Sequence, residues 1–229
     1  MTPPPPPAPP RRIQRNILAR SEQRLLQWLC PRMPAWVTPD LLTGGALIAA
    51  FAIGFGYLMS NWSPAWLALS VVGYFVHWFG DSLDGTIARF RRVERPRYGY
   101  FIDHSCDGLA TLLILGGLGA SPYLQVEVAL YTVVAYLLMS VHTFLLAKVA
   151  GEFPLSHMGA GPTELRIILV VLTVIMGFLG PDVGRVAGFN AFDILFGAVA
   201  TLLVALFIIQ TVREGRTLAA IDRGNQTIR

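Results

Sequence analysis

Apolar residues fall in long runs along most of the 229-residue chain, separated by short polar segments. The runs cover residues 38–58, 65–89, 99–118, 127–150, 162–180 and 191–212. Each is near or above the roughly 20 residues an α-helix needs to cross about 30 Å of hydrocarbon. The pattern predicts an all-α integral membrane protein with six transmembrane helices. Thr38-Pro39 reads as the start of the first helix. The second run is long enough for its end to project beyond the hydrocarbon. No internal repeat is visible, so a duplicated transporter is not expected.

Before the first run, residues 11–34 interleave Arg11, Arg12, Arg15, Arg20 and Arg24 with Ile13, Ile17, Leu18, Leu25, Leu26, Trp28 and Leu29. That suits an N-terminal interfacial amphipathic helix on an anionic membrane surface; the plainer reading is a helix packed on the protein. Residues 1–10, MTPPPPPAPP, predict a disordered proline-rich tail and lack the apolar core of a signal peptide. The chain thus divides into a tail (1–10), the interfacial helix (11–34), a six-span catalytic domain (35–212) and a basic tail (213–229).

Composition agrees: 54% of residues are hydrophobic, 14% are charged and mean hydropathy is +0.54, well away from an ordinary soluble domain. Cys30 and Cys106 form no metal or disulfide pattern and read as free thiols. Arginines crowd alternate loops. Arg89, Arg91, Arg92, Arg95 and Arg97 join the second and third runs, Lys148 and Arg166 flank the loop between the fourth and fifth, and Arg185 stands alone on the other face. The positive-inside rule predicts that both termini are cytoplasmic, and the expected location is a bacterial inner membrane. No nucleic-acid partner is expected.

The chemistry concentrates in GDSLDGTIARFRRVERPRYGYFIDHSCDG, residues 80–108. Asp81 and Asp84 are three apart, and Gly99, Asp103 and Asp107 are spaced by four, so two neighbouring spans can each present a carboxylate pair. Four bare carboxylates near low dielectric repel one another. A divalent cation removes that repulsion, and oxygen ligands suit Mg²⁺, Mn²⁺ or Ca²⁺. Gly85, Ala88 and Gly99 leave a groove beside the acids, and Arg89 follows it, as a phosphate ligand requires. Metal, groove and arginine together suggest a nucleotide diphosphate held for phosphoryl transfer.

The array Asp81-x2-Asp84-Gly85-x2-Ala88-Arg89-x9-Gly99-x3-Asp103-x3-Asp107 resembles the signature of the CDP-alcohol phosphotransferases, also called CDP-alcohol phosphatidyltransferases. TPDLLTGGA resembles that family's usual entry to its first span. The resemblance implies a six-helix fold, a homodimer, Mg²⁺ or Mn²⁺ as cofactor, and transfer of a substituted phosphate from a CDP-linked donor to a hydroxyl acceptor with release of CMP. At least one substrate is then a lipid. By motif position, Asp81, Asp84, Asp103 and Asp107 are implied as metal ligands, Asp107 also as general base, and Gly85, Ala88, Arg89 and Gly99 as the border of the CDP. The expected pair is CDP-diacylglycerol and a polar alcohol. The alternative, CDP-ethanolamine or CDP-choline with a diacylglycerol-like lipid, draws on FIDHSCDGL, where His104 follows Asp103.

GAGPTELRI, residues 159–167, opens the fifth run. There a helix N-terminus and Arg166 could meet a substrate phosphate, or Arg166 could pair with an aspartate or with Glu164. His77 and His142 are expected to be satisfied by neighbouring helices, His157 to lie in a loop, Asp193 to cap the sixth helix, and Trp62, Trp66, Tyr123 and Tyr131 to anchor the interfaces. A cation transporter would spread its acids over several depths, and a membrane prenyltransferase would place its acidic motifs far apart. The compact cluster argues against both.

Overall fold

The computed structural model describes residues 11–13, 18–150, 152–154 and 161–226. The proline-rich tail, Arg15 and His157 lie outside the described residues. The fold is a helical bundle: α1 (Ala19–Leu29), α2 (Pro39–Met59), α3 (Leu67–Phe90), α4 (Pro96–Gly119), α5 (Val126–Ala150), α6 (Pro162–Leu179) and α7 (Ala191–Gln226). Five of these, α2, α4, α5, α6 and α7, are long and apolar enough to cross a membrane, as expected of an integral membrane protein. The second predicted span, α3, is not among the five. It has the length, but His77, Asp81, Asp84 and Arg89 interrupt its apolar sequence.

Two further differences from the sequence reading lie at the ends. The expected helix over 11–34 is shorter, because β1 (Arg11–Ile13) pairs in parallel with β2 (Glu152–Pro154). Leu26 and Cys30 are buried with Leu83 and Ile87 of α3, so one side of α1 packs on protein, while Leu25 and Trp28 stay exposed. At the other end α7 runs on to Gln226 as one helix of about 54 Å by its rise per residue, where a separate basic tail was expected after residue 212. The segment 213–226 contains no proline, and the helix runs on through Gly215 and Gly224.

Close helix crossings set the framework. A Cβ added at Gly54 of α2 would lie 2.2 Å from the Leu113 carbonyl oxygen of α4, and one at Gly117 would lie 2.3 Å from the Gly54 carbonyl oxygen. Backbones touch there because neither residue carries a side chain. Gly80 of α3 similarly meets the Leu42 carbonyl oxygen of α2, at 2.6 Å from its Cβ position. These contacts hold α3 and α4 on either side of α2 and fix where their acidic ends lie.

The core binds hydroxyls as well as hydrocarbon. Tyr57 is hydrogen-bonded to Thr173 at 2.6 Å and to Tyr74 at 3.2 Å, joining α2, α6 and α3. At the far end of the bundle, the Asn190 and Asp193 side chains each accept from the other's backbone N–H, and Asp193 also accepts from the Gln125 N–H. This reciprocal cap starts α7, as expected of Asp193. Trp62, Trp66 and Tyr131 are exposed, whereas Tyr123 is buried against Phe192 and is no interfacial anchor. No disulfide joins Cys30 and Cys106.

Candidate metal and nucleotide site

The acids converge at the end of the bundle where α3 runs into α4. One oxygen each from Asp81, Asp103 and Asp107 lies within 4.8 Å of the others. Opposite ligand oxygens stand about 4.2 Å apart around Mg²⁺ and about 5 Å around Ca²⁺. Three partly buried carboxylates at this spacing fit a hard divalent cation. The fourth aspartate is engaged elsewhere: Asp84 accepts from Thr43 of α2 at 2.6 Å and from the Gly85 N–H.

Arg166 of α6 donates to Asp81, the aspartate pair weighed from the sequence. Glu164 instead accepts from the Gly161 N–H at 3.0 Å and the Leu18 N–H at 2.9 Å. His104, expected one step off the acidic stripe, turns back toward it: its Nδ1 is 3.5 Å from Asp107 Oδ2. Its ring packs edge-on against Tyr100 and tilted against Phe144 of α5, which holds it in place.

The small residues border open space. Among the described residues nothing lies within 4 Å of a Cβ built on Gly99, and one on Gly85 would meet only the Arg89 guanidinium, at 3.4 Å. Helix packing therefore does not require glycine at either position, in contrast to Gly54 and Gly117. Arg89 is exposed and donates to Thr86 at 3.2 Å. Gly85 and Gly99 thus each have room for a side chain, and the exposed Arg89 lies beside Gly85.

Several supporting residues have no sequence signal. Thr43 is one. Arg91 is another: its guanidinium donates to the carbonyls of Met33, Pro34, Ala35 and Val37, buckling the entry of α2 to the end of α3. Glu22 of α1 accepts from Trp78, Ser82 and Thr163, tying α1 to α3 and the start of α6. His142 bonds Thr211 of α7 at 3.2 Å, as expected of a satisfied histidine. His77 departs from that expectation, since its Nδ1 is buried and has no hydrogen-bond partner among the described residues.

The family model for CDP-alcohol phosphatidyltransferase matches residues 36–212. The chain belongs to that family. Members of the CDP-alcohol phosphatidyltransferase family are transferases of substituted phosphate groups. Similar curated proteins include cholinephosphotransferase 1 of Gallus gallus, 28% identical over 109 residues, which are 45% of this chain and 32% of the relative. Cholinephosphotransferase 1 of Danio rerio is 29% identical over 96 residues, covering 39% of this chain and 25% of the relative. That of Xenopus laevis is 26% identical over 113 residues, covering 46% and 28%. The chain thus spans about a third or less of the length of these relatives.

Proposed function

We propose that this CDP-alcohol phosphatidyltransferase acts in phospholipid synthesis, moving a substituted phosphate from a CDP-linked donor to a hydroxyl acceptor and releasing CMP. The observation that carries the reading is the convergence of Asp81, Asp103 and Asp107, with room for a side chain at Gly85 and Gly99. Those three carboxylates, with Asp84 behind them, would hold Mg²⁺ or Mn²⁺. Such an ion neutralises pyrophosphate charge and the charge on departing CMP. Arg89 binds donor phosphate at the groove's rim. Gly85, Ala88 and Gly99 leave room for the nucleotide. Asp107 accepts the proton of the attacking hydroxyl as its oxygen bonds to phosphorus and the bond to CMP breaks. His104 steadies the Asp107 carboxylate for that transfer.

In the same reading α3 is the second of six spans, its polar face covered by α2 and α6. The basic loops set both termini and the groove on the cytoplasmic side. The exposed Leu25 and Trp28 of α1 rest on the membrane surface, and the protein works as a homodimer.

CDP-diacylglycerol with a polar alcohol is the substrate pair expected from the sequence. A second reading, a small CDP-alcohol with a lipid acceptor, has one structural observation in its favour: an apolar cavity reaches Asp107. It also accords with the names of the cholinephosphotransferase relatives. The experiment is CMP release by purified protein with each donor against a panel of alcohols and diacylglycerol. Release that needs both metal and acceptor supports the reaction, and the productive pair selects the substrates.

A further inference from the structure

We propose that Glu22, in the first turn of α1, is a positioning residue for the candidate metal site. It holds the start of α6 in place and so sets Arg166 and, through Arg166, the Asp81 carboxylate. This role rests on the phosphotransfer reading above and adds to it a residue far from the aspartate motif in sequence.

One oxygen of Glu22 accepts three hydrogen bonds: from the Trp78 indole N–H at 3.0 Å, the Ser82 hydroxyl at 2.9 Å and the Thr163 hydroxyl at 2.7 Å. All three donors are neutral, and a carboxylate accepts such bonds more strongly than a neutral oxygen does. Trp78 and Ser82 are four residues apart and share one face of α3. Asp81 precedes Ser82, and each residue turns a helix by about 100°. A grip on Trp78 and Ser82 from α1 therefore fixes the rotation of α3 at which Asp81 meets Arg166 of α6.

The same oxygen reaches α6. Thr163 is the second residue of that helix, and Arg166 follows three residues later, within one turn. A further bond reinforces the link: Glu164 accepts from the N–H of Leu18, just before α1, at 2.9 Å. The first turn of α6 is thus fastened to α1 by two carboxylates, one from each helix. From the end of that turn Arg166 donates to Asp81, and Asp81 converges with Asp103 and Asp107. The contacts run from Glu22 to Thr163, along one turn to Arg166, and across to Asp81.

Packing of α1 on the protein does not account for this arrangement. Leu26 and Cys30, one and two turns beyond Glu22, already bury one side of α1 against Leu83 and Ile87 of α3, in a cluster that includes no residue of α6. Glu22 supplies the connection that the cluster lacks. An arginine reaching a carboxylate on another helix keeps its geometry only while its own helix keeps its place. Groups that orient a metal-binding carboxylate act on affinity for the ion.

The test uses the full chain in nanodiscs. Mn²⁺ binding is read from the EPR signal of the free ion, with thermal stability and Mn²⁺-dependent CDP binding measured in parallel. Thr163→Val removes only the α6 end of the clasp and should weaken Mn²⁺ binding about three- to tenfold, the worth of one hydrogen bond. Glu22→Ala should weaken it at least as much, and Glu22→Gln, which keeps an accepting oxygen, should restore part of the loss. Where Arg166 is already alanine, Thr163→Val should have no further effect, because its influence passes through that side chain. Asn61→Ala serves as the structural control: it removes the bonds from Asn61 to the carbonyls of Leu58 and Ala120 at the opposite end of the bundle. It should leave Mn²⁺ binding at the wild-type level. Wild-type Mn²⁺ binding in folded Thr163→Val would overturn the proposal. So would an equal loss with and without Arg166, or an equal loss in Asn61→Ala. Wild-type protein that binds Mn²⁺ but no CDP, with the variants ordered as expected, would instead overturn the phosphotransfer reading and leave the role of Glu22 standing.

Discussion

The Thr43 hydroxyl donates to Asp84 Oδ2 across the contact between α2 and α3, at 2.6 Å. This bond explains why three acids, rather than all four, come together at one point: the fourth is turned toward α2. A group that orients a metal-binding carboxylate commonly changes affinity or activity by about 10- to 100-fold when removed. Thr43→Val is expected to lower apparent Mg²⁺ affinity by about tenfold while leaving thermal stability close to wild type. Metal titration of CMP release checks this, and an unchanged titration would confine Thr43 to helix packing.

Asp107→Asn keeps the shape of the side chain and removes the proton acceptor. Turnover should fall by about 10²-fold or more, the usual size of a general-base contribution, while CDP still binds. His104→Ala should give a smaller loss in kcat without a change in donor KM, because in the proposed reaction His104 acts through Asp107, 3.5 Å from its Nδ1. Substantial turnover in purified Asp107→Asn would remove Asp107 from the base role.

Arg166 spans two possibilities that kinetics can separate. It is tied to Asp81 and also lines the cavity. If it meets substrate phosphate during the reaction, Arg166→Ala raises the KM of the phosphate-bearing substrate, by about tenfold for one charge-assisted contact. An unchanged KM with a shifted Mg²⁺ titration would limit Arg166 to holding Asp81.

The glycines divide into two groups with opposite expected outcomes. Gly54→Leu drives a side chain into the backbone of α4, and folded protein recovered from the membrane should drop sharply. Gly99→Val meets open space, so the protein should fold and bind CDP weakly. Size-exclusion profiles and CDP titration of the two variants measure both effects.

The hydrophobic pattern located the long helices because length and periodicity are local properties of the chain. It overestimated α3 as an apolar span, since the residues that carry the chemistry are the ones that lower its hydropathy. The acids were legible for the same local reason: spacings of three and four fix a helix face whatever surrounds it. What the sequence could not reveal depends on partners distant along the chain. Nothing local marks Thr43 as the partner of Asp84, or Glu22 as the acceptor for Trp78, Ser82 and Thr163. Arg91 read as one of several loop cations, yet it binds four carbonyls before α2. The sequence placed the acids in a row, but the apolar approach to Asp107 exists only once five helices are packed together.

The most direct test of the account is CMP release by the purified chain with Mg²⁺ or Mn²⁺. CDP-diacylglycerol, CDP-ethanolamine and CDP-choline are crossed with polar alcohols and diacylglycerol, and Asp107→Asn serves as control. The account predicts release that requires metal and one matching acceptor, and that Asp107→Asn abolishes. Folded protein that releases no CMP from any pair and binds no CDP would contradict it.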